Sequence, residues 1–293
     1  MTELTQIINY IPNINTLHTE NSIKPYPKRK RNHYFYLANN ECDKLILDLG
    51  ETKEIVENIK NFAEKYINEV ENKVIVLEKN NEFLLIPYTT RFNRKYKKII
   101  YKKFRKLSKA KVFGRHTFLT ITYNWKNAFT FKEMRYNFSK KLTELIDRIK
   151  KKYHFSFYIK TIEFMPKHKL IHAHILFLNI GFINPKWLTK QLKLLGLGKI
   201  KKIKEFRNLE NGIWYFFKYL SKSIKNEIEN DTLYLSWALN IKTFSWSILI
   251  NRLLEFTKNN IEKKGFIYIG LEEFKGIVGL ISSQEYYNLY GAG

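Results

Sequence analysis

Two histidines one residue apart, His172 and His174, carry the clearest chemical signal in the sequence. They lie in Leu170-Ile171-His172-Ala173-His174-Ile175-Leu176-Phe177, an apolar run whose length and composition read as a strand. Side chains at i and i+2 of a strand point to one sheet face, so both imidazoles can reach a single metal ion. Such a pair is a weak signal alone, because the chain has 7 histidines. Support comes from Glu163. Residues 156–164 also read as a strand, joined to the histidine strand by Met165-Pro166-Lys167-His168-Lys169. If Met165 pairs with Leu170 across a four-residue turn, Glu163 stands opposite His172, and opposed residues of an antiparallel pair share a face. Two imidazoles and a carboxylate then converge. The plain alternative is an exposed sheet face with ordinary polar residues. The same donors would suit a zinc hydrolase, but no HExxH-type helix supplies its general base.

A second group lies further along, in Trp214-Tyr215-Phe216-Phe217-Lys218-Tyr219-Leu220-Ser221-Lys222. Tyr215 and Tyr219 are i and i+4, so they share a helix face. Each is followed three residues later by a lysine, Lys218 and Lys222. Among 19 tyrosines an i,i+4 pair usually means core packing. The doubled Tyr-X-X-Lys is harder to explain that way, since two lysines on a core-facing stripe would be costly.

The elements that must position these residues follow from hydrophobic periodicity. Residues 117–123, 156–164, 171–178 and 199–206 read as strands; residues 131–153, 184–194 and 209–225 read as helices, the second opened by Asn184 before Pro185. The order β-α-β-β-α-β is the split βαβ arrangement, which predicts an antiparallel sheet backed by helices. Upstream, residues 34–38, 44–49, 73–77 and 83–88 read as strands and 52–70 as a helix, a small α/β region. Residues 91–109 read as an amphipathic helix with basic side chains and no acid. Lys95, Lys98, Lys102 and Arg105 on its outer side are candidate DNA phosphate contacts; a merely solvated face is the alternative, and so many basic residues without an acid favour the phosphates. Residues 1–33, with the run Lys28-Arg29-Lys30-Arg31, read as a loosely ordered tail or a phosphate-binding arm.

Composition agrees with a nucleic-acid partner. The formal net charge is +25, from 52 Lys and Arg against 27 Asp and Glu, and aromatics reach 16%. A Lys-rich composition inherited from an AT-rich genome is the alternative. A single cysteine, Cys42, excludes an internal disulfide or Cys-based zinc site. No secretory signal and no membrane-length apolar run is found, which predicts a soluble, cytoplasmic protein without a membrane partner. Gly196-Leu197-Gly198-Lys199-Ile200 lacks the spacing of a nucleotide-binding P-loop, so a helicase would have to come from the host.

These motifs resemble a known family. Thr117-Phe118-Leu119-Thr120-Ile121-Thr122-Tyr123 is similar to the first motif of rolling-circle replication initiators of the histidine-hydrophobic-histidine (HUH) endonuclease superfamily. The His172–His174 stretch resembles their second motif, with a small Ala173 between the histidines. The segment from Tyr215 to Lys222 resembles the third, in the plasmid and virus type with two tyrosines. Asn240-Ile241-Lys242-Thr243-Phe244-Ser245-Trp246-Ser247 looks like the region that follows, so the likeness covers roughly residues 112–250. Histidines before tyrosines is the order of replication initiators; conjugative relaxases place the tyrosine first.

The resemblance implies an α+β fold with a five-stranded antiparallel palm of ferredoxin or RRM-like type. It implies an accessory region at 1–110, itself a candidate for DNA binding, a nicking and joining domain at 111–255 and a C-terminal extension at 256–293. It makes His172, His174 and Glu163 ligands for Mg²⁺ or Mn²⁺. Tyr215 and Tyr219 become nucleophiles, aided by Lys218 and Lys222. The implied activity is site-specific nicking and rejoining of single-stranded DNA through a 5′-phosphotyrosine, which starts and ends rolling-circle replication. The implied partners are single-stranded and duplex origin DNA and the host helicase and polymerase. The alternatives are a transposase of the same chemistry, usually smaller and with one tyrosine, and a non-catalytic RRM-like binding module.

Overall fold

In chain order the described elements are α1 (His33–Lys44), α2 (Lys53–Val70), β1 (Lys73–Lys79), β2 (Glu82–Pro87), α3 (Arg94–Ser108), β3 (His116–Tyr123), α4 (Phe131–Tyr153), β4 (Phe157–Phe164), β5 (Ile171–Leu178), α5 (Pro185–Leu194), β6 (Leu197–Phe206), α6 (Leu209–Ile224), α7 (Asp231–Ala238), β7 (Ser245–Trp246), α8 (Ile248–Leu253), β8 (Ile267–Glu273), β9 (Gly279–Ser282) and α9 (Ser283–Tyr290). This is a computed structural model, and it describes residues 32–45, 53–155, 157–164, 170–224, 231–254, 267–273 and 275–290. Arg31–Gly293 packs as one unit.

Two antiparallel sheets result. The larger has strand order β6-β3-β5-β4-β7, in which the split βαβ strands are completed by the short β7. Its two faces hold separate cores. Leu119, Ile121, Ala173, Ile175 and Phe177 turn one way, toward α4, α5 and the upstream helices α1 and α2. Phe118, Ile159, Leu176 and Phe206 turn the other way, toward α3 and α6. This is the period-2 alternation of strands buried on both sides.

Helix α4 shows how local sequence sets an element. The Thr130 side chain accepts from the backbone of Glu133, and Met134, Phe138, Leu142, Leu145 and Ile149 fall on one buried stripe. His154 ends it in the left-handed conformation, φ 52°. Asn184 caps α5 in the same way, accepting from Lys186 and Trp187.

The smaller sheet has order β8-β1-β2-β9. The expected N-terminal region and C-terminal extension therefore share one sheet, with β8 along β1 and β9 along β2.

One upstream expectation is corrected. Residues 34–38, expected as a strand, begin α1 instead. Phe35, Ala38 and Cys42 are its buried residues, at i, i+3 and i+7, which is a helical period. Asn32 caps it by accepting from Tyr34. The alternating aromatics of this stretch imitate a strand because Tyr36 stays exposed. The neighbouring expectation of a strand at 44–49 fails at Lys44, the last residue of α1; residues 46–49 lie outside the described residues, as does the basic run at 28–31. Among the described residues no helix is long and apolar enough to cross a membrane.

Candidate active site

Strands β4 and β5 pair so that Glu163 stands opposite His172 and Thr161 opposite His174, the register expected from the short hairpin. The turn itself, 165–169, lies outside the described residues. Because opposed residues share a face, the triad projects to the side of the sheet covered by α6. His172 Nε2 and His174 Nε2 lie 3.0 Å apart. Glu163 Oε2 is 3.7 Å from the first and 3.6 Å from the second. Among the described residues this is the one group of three such side chains close enough to share an ion.

The separations fit a divalent cation. Donor atoms bound at about 2.0–2.2 Å, at angles between right and tetrahedral, stand roughly 2.8–3.6 Å from each other. Glu163 Oε1 is buried and has no hydrogen-bond partner among the described residues, which leaves a carboxylate oxygen to be satisfied. Burial, reinforced by neighbouring His174 and opposed by Glu163 and the Leu170 backbone, pushes the His172 imidazole down to about 4. His172 is thus neutral near pH 7, as a metal ligand must be, and its contact with Glu163 is not an ion pair. Behind the triad, Thr120 Oγ1 lies 2.8 Å from His174 Nδ1. A proton on Nδ1 donated to Thr120 frees the Nε2 lone pair toward Glu163 and His172.

Helix α6 lies over this face. Leu209, Ile213, Phe216 and Leu220 are buried along it, which anchors the helix and leaves Tyr215 and Tyr219 half-buried beside the stripe. The Tyr219 ring sits 4.2 Å from the His174 ring. Phe118 stacks on both His174, at 5.7 Å, and Tyr219, at 5.2 Å, and meets Tyr215 edge-on at 4.9 Å. The structure therefore brings together Glu163, His172, His174, Tyr215 and Tyr219.

The lysines expected to assist the tyrosines are placed differently. Lys218 is exposed on α6, and the side chain of Lys222 lies outside the described part of the structure. The lysines over Tyr215 come instead from β6: Lys202 Nζ is 5.2 Å and Lys204 Nζ 4.8 Å from its ring centre. Sequence reasoning missed Lys202, Lys204, Phe118 and Thr120. The signal for the lysines was the spacing of Ile200 and Ile203. Two strand residues three apart reach one face only if an extra residue intervenes, and β6 does shift register against β3 between Lys202 and Ile200.

Lys95, Lys98, Lys102 and Arg105 are exposed along α3. Its other side, with Ile100, Phe104 and Leu107 buried, docks on α6. Phe104 stacks on Phe216 at 5.8 Å, and Tyr101 lies 5.5 Å from Trp214. The basic helix is therefore bolted to the tyrosine helix. On the far side, a cleft of about 820 Å³ opens between α5 and β6, lined by Thr122, Leu170, Leu192, Lys193, Lys199 and Lys201 among others. Thr122, which lines this cleft, is the strand partner of His172, while the triad itself does not line it.

No curated protein and no solved structure gives a significant match to the chain. Residues 116–224, from the first strand of the five-stranded sheet through the tyrosine helix, match the family model described as Replication-associated protein ORF2, a finding that supports a replication-initiator role and with it interaction with DNA.

Proposed function

We propose that this chain is a metal-dependent nickase that cuts and rejoins single-stranded DNA through a tyrosine ester, and so initiates and terminates rolling-circle replication of a plasmid or viral genome. The observation that supports this reading is the Tyr219 ring 4.2 Å from His174, which sets two tyrosine hydroxyls beside a Glu-His-His cluster. Glu163, His172 and His174 would hold Mg²⁺ or Mn²⁺. A cation bound there would draw charge from a phosphate oxygen as it develops.

The residues of the chain do the rest. A tyrosine oxygen attacks phosphorus; the new O–P bond forms as the P–O3′ bond breaks, and the departing 3′ oxygen takes up a proton. The product is a 5′-phosphotyrosine and a free 3′-OH that can prime a host polymerase. The ester keeps the bond energy, so the 3′-OH of another end can reverse the step and reseal the strand. The cleft beside Thr122 supplies apolar walls and lysines for a neighbouring nucleotide. The exposed face of α3 holds the flanking duplex, and a host helicase opens it.

The test is incubation with a pool of random single-stranded oligonucleotides and Mn²⁺, followed by denaturing electrophoresis. The reading requires a covalent protein–DNA band that vanishes with EDTA. A binding-only protein gives retarded complexes under native conditions and none after denaturation.

A further inference from the structure

Strand β6 carries Lys199-Ile200-Lys201-Lys202-Ile203-Lys204-Glu205-Phe206 at the edge of the sheet. Lys202 pairs with Thr120 and Lys204 with Phe118, the residues that back His174 and the tyrosines. Both lysines therefore project to the α6 side. Among the described residues neither takes part in a salt bridge, and the one acid of the strand, Glu205, is engaged by Arg115 at 2.7 Å. Both ammonium groups lie beside the Tyr215 ring, Lys204 over that of Phe206 as well, at 5.0 Å.

We infer that Lys202 and Lys204, rather than the lysines that follow each tyrosine on its own helix, stabilise the Tyr215 oxyanion and hold its ring for attack on phosphate. This rests on the reading of α6 as the nucleophile helix. Two like charges placed near one phenol, with no salt-bridge partner among the described residues, form an arrangement that favours the phenolate. The ring is held as well, pressed edge-on by Phe118 at 4.9 Å and flanked by Phe206 at 5.1 Å. The remaining polar groups near Tyr215 are Tyr219, one turn along α6, and beyond it Glu163 and His174. Burial acts to raise the Tyr215 phenol, but the hydrogen bonds from Lys202 and Tyr219 and the charges of Lys202 and Lys204 outweigh it and bring it below the usual range. Lys218 faces solvent.

The experiment follows adduct formation with pH for wild type, the double variant Lys202→Met/Lys204→Met, the double variant Lys202→Arg/Lys204→Arg, and Lys218→Met. The methionine pair should lower kcat about tenfold at neutral pH and regain it as pH rises, since one unit of phenol pKa is a factor of ten in phenolate. The arginine pair should keep the wild-type profile. A Met pair that only raises KM for the oligonucleotide, with the profile in place, would make these lysines backbone contacts and overturn the inference. So would a displaced profile in Lys218→Met alone. If wild type forms no adduct at all, the functional reading fails separately. The inference is then decided by tyrosinate absorbance, taken as the difference between each protein and its Tyr215→Phe version: an upward displacement in the Met pair supports it, and an unmoved titration overturns it.

Discussion

The hydroxyls of Tyr215 and Tyr219 lie 3.1 Å apart, yet the two phenols stand in opposite surroundings. Tyr215 is drawn below the usual phenol range by its lysines and by its neighbour, against the opposing effect of burial. Tyr219 is pushed up to about 12 by burial, by its hydrogen bond to Tyr215 and by the charges of Tyr215 and Glu163. These directions make Tyr215 the better anion of the pair. Proximity runs the other way, since the Tyr219 ring is the one against His174. The pair is unequal, and on the proposed reading that inequality would make Tyr215 the first nucleophile and Tyr219 its reserve.

This asymmetry can be read in solution. Tyr219→Phe keeps the ring against His174 and removes the donor to Tyr215. The Tyr215 phenol should then titrate higher, so first-strand cleavage should fall near neutral pH and recover in base. Cleavage rates between pH 6 and 10 check this; an unchanged profile would mean that the hydroxyl pair is not coupled in the working enzyme.

The metal prediction needs no DNA. Mn²⁺ at a hundredfold over its Kd should stabilise the wild type by about 2.7 kcal/mol, seen as a rise in Tm. His172→Ala and His174→Ala should lose that rise, and Glu163→Ala should keep part of it, because water or phosphate can replace one oxygen ligand. Thr120→Val removes the partner of His174 Nδ1 and should weaken the ion about 10–100-fold. A Tm rise of equal size in all four variants would place the ion elsewhere.

Helix α3 makes a salt-dependent prediction. Each neutralised phosphate contributes about −0.9 to the log–log slope of duplex affinity against salt. Changing Lys95, Lys98, Lys102 and Arg105 to Gln should flatten the slope by roughly that amount for each phosphate no longer neutralised. Filter binding across a salt series measures it, and an unaltered slope would make this face merely solvated.

The docking of α3 on α6 makes a stability prediction. Phe104 is fully buried among Phe216, Phe217, Phe244 and Trp246. Phe104→Ala should cost about 3–5 kcal/mol in urea unfolding, from lost transfer energy and the cavity left behind. A cost below about 1 kcal/mol would show that the basic helix is not anchored there.

Much of the site was legible because it depends on short-range rules. The placement of Glu163 against His172 follows from strand alternation and a short turn, both local. The bounds of α4 follow from the Thr130 cap and a long apolar stripe. The misread α1 shows the limit of such rules: Tyr34, Phe35 and Tyr36 favour strand by type, while the Asn32 cap, the helical spacing of Phe35, Ala38 and Cys42 and the packing of Phe35 on Trp237 go with a helix. The placement of Lys202 and Lys204 beside Tyr215 was hidden for a related reason. A single extra residue in β6 decides which way its lysines point, and that register shift is set by pairing with β3 rather than by the strand itself. The pairing of β8 and β9 with β1 and β2 joins distant stretches of the chain that carry no shared local pattern.

The central claim is that the hydroxyls on α6 become covalently joined to DNA beside the triad. The most direct measurement is peptide mapping of the protein trapped on single-stranded oligonucleotide with Mn²⁺, in wild type, Tyr215→Phe, Tyr219→Phe and the double variant. The account predicts a nucleotide mass on the peptide containing Tyr215 in wild type, a slower adduct on Tyr219 in Tyr215→Phe, and none in the double variant. An adduct that persists in the double variant, or maps to another peptide, would contradict it.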